Sequence, residues 1–247
     1  MYNTGMNVDN KVAIVTGASL GIGEATARLL AQKGAIVVLA ARSKDKLENL
    51  SKELDRSLVV STDMTLERDI NNLVSETVKK FGRIDILVNN AGRGYDAAIE
   101  HIDIKTYHEI FDLDVVGPLR TMQLVIPIMR KQGGGAIVNI SSGTALMQLP
   151  NMGGYSSLKR ALVGLSLTAS EELKKDHITV SVVYPFITDT DFEKNTTKGK
   201  ETPVEWENDG HEIPAADPPS LVAERILSSI EKGLPVVYAH DWMGKPR

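Results

Sequence analysis

Val12-Ala13-Ile14-Val15-Thr16-Gly17-Ala18-Ser19-Leu20-Gly21-Ile22-Gly23-Glu24-Ala25-Thr26-Ala27-Arg28-Leu29-Leu30 is the stretch on which the reading of this chain turns. An apolar run rich in Val and Ile ends at Gly17 and reads as a strand buried on both faces. Gly17, Gly21 and Gly23 follow, and then a helical pattern. Glycine lets the backbone turn sharply and come close to a ligand. The helix that opens there points free N–H groups and the positive end of its dipole back at the turn. The spacing is G-x-x-x-G-x-G rather than the G-x-G-x-x-G of the common dinucleotide fingerprint, and no Gly-Lys-Ser/Thr follows to make a P-loop. Alone, the turn is compatible with a mere tight connection. At the end of the first strand of an alternating chain, it is where a pyrophosphate would sit.

The alternation is there. Candidate strands fall at Val12–Gly17, Ala35–Arg42, Leu58–Asp63, Ile84–Asn89, Ala136–Ser141, Ile178–Tyr184 and Pro235–Ala239, most of them continuously apolar. Helical patterns lie between them, such as Ser43–Leu54 with Leu47, Leu50 and Leu54 on one side, Ser43 at the N-cap position, and Gly34 closing the helix before. Repeated strand–helix units predict a doubly wound parallel sheet with helices on both faces, in one α/β domain. Residues 1–10 form a polar leader ahead of a domain spanning 11–247. The polar, proline-bearing segment 193–219 lacks a period and reads as a substrate-side loop or lid.

Bulk properties exclude several functions. The formal net charge of −4 over 247 residues leaves no basic footprint for nucleic acid. No apolar run is long enough to span a bilayer, and the polar N-terminus lacks a signal-peptide layout, so the chain reads as soluble. The absence of cysteine removes disulfides and thiolate metal sites and fits a reducing cytoplasm. His101, His108, His177, His211 and His240 show no metal-ligand spacing, so no metal is expected.

Gly153-Gly154-Tyr155-Ser156-Ser157-Leu158-Lys159 carries two possible chemistries. Ser156-Ser157-Leu158-Lys159 spells S-x-x-K, the nucleophilic serine of certain acyl-transfer enzymes. Its companion tripeptides S-D-N and K-T-G are absent, as is G-x-S-x-G. The other reading puts Tyr155 and Lys159 on one helical face. An ammonium about 5 Å from a phenol, at an effective dielectric near 20, favours the phenolate by roughly 3 kcal/mol and lowers its pKa by about 2. That suits proton transfer near neutral pH.

Taken in order, T-G-x-x-x-G-I-G at Thr16–Gly23, Asn89-Asn90-Ala91-Gly92, Ser142 and Tyr155-x-x-x-Lys159 resemble the short-chain dehydrogenase/reductase family, from about Lys11 to Tyr238. The resemblance implies a Rossmann-type sheet of about seven parallel strands and an oxidoreductase moving a hydride between a nicotinamide dinucleotide and a carbonyl or alcohol. It implies Tyr155 as proton donor and acceptor, Ser142 orienting substrate, and Lys159 also holding the nicotinamide ribose. Gly17, Ser19, Leu20, Gly21, Ile22 and Gly23 would cradle the pyrophosphate. Asp63 and Met64 would lie at the adenine, and Asn90, Ala91 and Gly92 along the cofactor edge. Pro185, Thr188 and Thr190 would meet the carboxamide. The second strand ends at Arg42-Ser43 with no carboxylate to repel a 2′-phosphate, so NADP(H) is favoured over NAD(H). Leu20 stands where the family often has a second basic residue. An NAD-linked alcohol dehydrogenase and a dinucleotide-binding sensor without turnover stay open. A homodimer or homotetramer would form through helices at 104–131 and 153–176, the second bearing Ala161, Gly164, Ala169 and Ser170.

Two positions depart from the family pattern. Phe186 replaces a glycine after Pro185, either lining the substrate pocket or packing under the next loop. Asp114, in Leu113-Asp114-Val115-Val116-Gly117, replaces an asparagine. Ionised beside the site, it would raise the pKa of Tyr155; neutral, it would act much as asparagine does; pointing away, it would be a bystander.

Overall fold

Why the apolar runs become one sheet is visible in how their residues divide. In the computed structural model, which describes residues 5–199 and 215–245, Ala13 and Val15 of β1 (Val12–Thr16) face one layer of helices, while Val12 and Ile14 face the other. The same alternation holds in β2 (Ile36–Ala41) and β4 (Ile86–Asn89). Strands packed on both faces need apolar residues at every position, which is why the runs are continuous.

The elements follow as α1 (Gly21–Gln32), α2 (Lys44–Lys52), β3 (Ser57–Ser61), α3 (Glu67–Phe81), β5 (Tyr95–Asp96), α4 (Ile104–Phe111), a π-type turn (Asp112–Val116), α5 (Gly117–Lys131), β6 (Gly135–Ile140), α6 (Gly153–Leu173), β7 (Ile178–Tyr184), β8 (Thr197–Lys198), α7 (Pro219–Lys232) and β9 (Val236–Tyr238). Seven strands form one parallel sheet in the order β3-β2-β1-β4-β6-β7-β9. Helices α1, α2 and α7 cover one face through Ala27, Leu30, Leu47, Val222 and Ile226. Helices α3 and α5 cover the other through Ile70, Leu73, Met122 and Val125. This is the single doubly wound domain expected. The strand order reverses between β1 and β4, the place where sheets of this kind bind ligands beyond the carboxyl ends of their strands.

The expected strands are present, with β7 matching Ile178–Tyr184 and the others shifted by one or two residues at their ends. Ser43 does occupy the N-cap of α2, but its side chain makes no capping bond. Leu54 falls beyond that helix yet still packs against the core. Within the stretch 1–10, the Met6 N–H donates to the Ile230 carbonyl and Val8 is buried. Two-residue strands β5 and β8 pair in parallel away from the main sheet, tying the segment after β7 to the segment after β4. Of the expected lid 193–219, residues 200–214 lie outside the described residues, as do Trp206 and His211.

Candidate active site

The carboxyl ends of β1 and β4 are locked together by Thr16, a residue to which the sequence assigned no role. Its hydroxyl accepts from the backbone N–H of Asn90 (3.0 Å) and Ala91 (3.1 Å), and the Asn90 amide donates to the Thr16 carbonyl (3.0 Å). That clamp fixes the glycine turn against Asn90-Ala91-Gly92. Gly17 has φ +67°, and a Cβ there would lie 2.8 Å from the Asn90 amide nitrogen; one on Gly23 would strike the Gly17 carbonyl. No side chain caps the start of α1, so its first N–H groups stay free for a ligand. The turn therefore fits the diphosphate of a dinucleotide, for which close backbone approach and open N–H groups are the requirement. Ser19, Leu20, Gly21 and Thr190 border a cavity of about 1320 Å³ between α1, α2 and the segment after β7. The cavity reaches neither Ser142 nor Tyr155, so side-chain geometry, not volume, locates the proton chemistry.

At the tip of β2, Arg42 and Ser43 are both exposed. Burial alone would push the Asp63 carboxyl up, but hydrogen bonds from the Thr65 N–H and hydroxyl, with the nearby charge of Arg42, hold it below the usual carboxylate range. Met64 is buried, its side chain in the core and its carbonyl packed against Gly117. Pro185 is buried, and its carbonyl accepts from the Gly143 N–H at 2.8 Å. The Thr188 hydroxyl donates to the Phe186 carbonyl, and Thr190 packs against Gly21.

The proton-transfer groups meet at the end of β6. Ser142 caps a short 3-10 turn, its hydroxyl accepting from the Thr144 N–H (3.2 Å) and hydroxyl (3.0 Å), and it lies near enough to Tyr155 to lower the phenol's pKa. Lys159, one turn along α6, sits 5.6 Å from the Tyr155 ring centroid. Its Nζ donates to the Ile140 carbonyl (3.2 Å) and lies 3.0 Å from the Asp114 carboxylate. The other Asp114 oxygen accepts from the Arg93 N–H at 3.0 Å. Asp114, Lys159 and Tyr155 are 0%, 4% and 5% exposed, so the cluster is dry. Gly92 makes room for it, since a Cβ there would come 3.1 Å from the carboxylate and 3.2 Å from the ammonium. Ser156 and Ser157 direct their hydroxyls to carbonyls of their own helix, and Ser157 also meets the Tyr107 hydroxyl at 3.0 Å.

Electrostatics correct one expectation. The ammonium does pull Tyr155 down, as does Ser142, but burial is the largest influence and pushes the phenol above its ordinary value; the Asp114 carboxylate adds to that. The sequence argument counted the charge and not the loss of water around it. Burial pushes Asp114 up against the pull of Lys159. Burial likewise opposes the Lys159 ammonium, yet Asp114 and Tyr155 hold it above the usual lysine range. Asp114 points into the cluster, so the bystander reading is excluded.

Fold and site together define an oxidoreductase acting on CH–OH and C=O groups. A profile described as short chain dehydrogenase matches residues 11–201, and the chain belongs to that family. It is 36% identical over 203 residues to a 3-oxoacyl-(acyl-carrier-protein) reductase of Thermotoga maritima, covering 80% of this chain and 82% of that protein. It is similar to an alcohol dehydrogenase of Thermococcus sibiricus solved with 5-hydroxy-NADP (TM-score 0.80, 26% identity, 96% of this chain and 99% of that one). It is also similar to a 3-ketoacyl-(acyl-carrier-protein) reductase of Brucella melitensis solved with NADH (TM-score 0.83, 27% identity, 94% and 97%). Members of the family bind a nicotinamide dinucleotide and act on small molecules. Among the described residues no helix is long and apolar enough to cross a membrane, and no group of three or more His, Asp or Glu is placed to hold a metal ion.

Proposed function

We propose that this chain is an NADP-dependent carbonyl reductase in which Tyr155 delivers the proton, Ser142 orients the carbonyl oxygen and Lys159 fixes the charge beside them. The observation that carries the reading is the buried Tyr155–Lys159–Asp114 cluster beside Ser142 at the carboxyl end of β6. The cradle at Gly17, Ser19, Leu20, Gly21, Ile22 and Gly23 would hold the diphosphate, with Asn90, Ala91 and Gly92 along one edge, Asp63 and Met64 at the base, and Pro185, Thr188 and Thr190 at the far end. Bound there, the nicotinamide supplies the hydride. A phenol whose pKa burial holds above its ordinary value carries its proton at neutral pH, the form that delivery to a nascent alkoxide needs. Lys159 would also hold the nicotinamide ribose, the role that family resemblance assigns it. Asp114 is read as ionised and paired, a positioning residue that keeps the ammonium in place.

Preference for NADP rests on Arg42, whose planar fork suits a 2′-phosphate. Arg42→Ala is expected to weaken NADPH binding by about 1.5–3 kcal/mol and leave NADH nearly unaffected. The Brucella relative holds NADH, which keeps the NAD-linked reading in play. Equal losses for both cofactors would take Arg42 off the phosphate and leave it a structural role; comparing efficiencies with NADPH and NADH decides the NAD-linked reading.

A cytoplasmic homo-oligomer completes the proposal. Ile104 and Phe111 on α4 and Leu167 on α6 are exposed, as are Ala161 and Gly164, whereas Ala169 and Ser170 face inward. An exposed apolar face flanked by small residues suits a second copy. Light scattering at micromolar concentration should return at least twice the 26.9 kDa of one chain; the single-chain mass would dispose of the interface.

A further inference from the structure

Most charged side chains close to Ser142 and Tyr155 already have an opposite charge beside them. Asp114 pairs with Lys159 at 3.0 Å, Arg93 has Glu109 of α4 at 3.9 Å, Asp96 lies beside Lys198 across the β5–β8 pair, and His240 is 2.8 Å from Asp217. What the neighbouring loops leave at the surface is apolar. Leu146 follows Ser142 by four residues, Ile187 follows Phe186, and Phe192 lies on the segment after β7. Trp242 comes from the C-terminal turn, and all four are exposed, Trp242 to 46%. Scattered exposed apolar residues need no explanation, but aromatic rings packed against Ser142's turn and against Tyr155 do.

The packing is measurable. The Phe192 ring lies 5.7 Å from that of Tyr155. Phe186 stands edge-on to Trp242 at 5.0 Å, and His240 stacks on Trp242 at 5.8 Å. Phe186 also backs onto Gly143, where a Cβ would come 3.4 Å from the ring, and Gly143 is the residue after Ser142. Its backbone is not in the left-handed region, so the ring replaces a glycine without strain. Aromatic surfaces thus lie against both Ser142's turn and Tyr155's ring.

We infer that this rim receives the non-reacting part of the substrate, and that the substrate is an uncharged carbonyl compound bearing an aromatic or comparably bulky apolar group. The inference rests on the carbonyl-reductase reading of the same site. A ring laid between Phe192 and the Phe186–Trp242 pair gains edge and offset contacts as well as burial. A substrate carboxylate would have to be stripped of water beside a Lys159 already paired with Asp114 and an Arg160 whose N–H groups already serve the Ala145 and Met147 carbonyls.

Three methyl ketones with the same reacting centre test this: acetone, 4-oxopentanoate and 4-phenylbutan-2-one, each assayed with NADPH and NADH. The phenyl ketone is expected to exceed both others in kcat/KM by at least about 30-fold, from burial of its ring. Trp242→Ala should remove about 10-fold of that advantage and leave acetone unchanged. Preference for 4-oxopentanoate would overturn the inference and make Arg93 a carboxylate receptor; equal use of acetone and the phenyl ketone would overturn it too. If none is reduced, calorimetry on the NADPH-saturated protein separates the two ideas. Phenyl-ketone binding without reduction keeps the rim and strikes the reductase reading, whereas no binding sinks the rim.

Discussion

Replacing Tyr155 with Phe is expected to cut carbonyl turnover by at least about 100-fold while leaving NADPH binding close to that of the parent protein. The change deletes one oxygen and keeps the ring, so the contact with Phe192 and the ammonium beside the ring both survive. No neighbour can take over the proton. A serine hydroxyl is a far weaker acid than a phenol, and Lys159 is held by Asp114 and the Ile140 carbonyl. Loss of an interaction made only in the transition state lowers kcat and kcat/KM together. Near-normal kcat with the best available ketone would remove Tyr155 from the chemistry. A collapse of NADPH affinity instead would make it a cofactor ligand first.

The second large effect is on stability. Asp114→Leu strands the Lys159 ammonium in a dry site with the Ile140 carbonyl as its remaining partner, and orphans the Arg93 N–H. Breaking a buried pair by deleting one member costs about 3–5 kcal/mol, and a loss of that size should appear in chemical denaturation. A loss below about 1 kcal/mol would mean that the ammonium reaches water. Asp114→Asn separates charge from shape, because the amide oxygen can still accept from Arg93. Its carboxylate contributes to raising Tyr155, so removing the charge lowers the phenol's pKa. Alcohol oxidation needs the phenolate, so its basic limb should move to lower pH by about half to one unit. Superimposable profiles, with hydride transfer shown to limit the rate by an isotope effect, would leave Asp114 as a structural partner alone.

The sheet was legible because strands buried on both faces have no choice but to be apolar throughout, and the glycine turn because close approach admits no other residue at Gly17 or Gly23. Tyr155 and Lys159 were legible through helical spacing. What was hidden depends on three-dimensional surroundings. Two-residue strands such as Tyr95–Asp96 and Thr197–Lys198 are too short to show a period. Nothing around Asp114 in the chain announces a lysine 45 positions later in sequence as its partner at 3.0 Å. The direction of the Tyr155 shift turned on burial, which a local motif does not encode. Phe192 carried no signal beyond being an aromatic residue beside a loop.

The π-type turn at Asp112–Val116 has a consequence for what length of chain this region tolerates. Along α4, the turn and α5, the buried positions Ile110, Asp114, Pro118, Met122, Val125 and Met129 advance 19 residues in five steps, where five α-helical turns take about 18. The turn supplies the surplus residue. Deleting one residue there and closing the helix to a uniform α form rotates everything on one side by about 100° relative to the other. Either Asp114 swings off the ammonium, or Met122, Val125 and Met129 swing out of the core. Substitutions along this helix can be absorbed locally; a change in its count cannot.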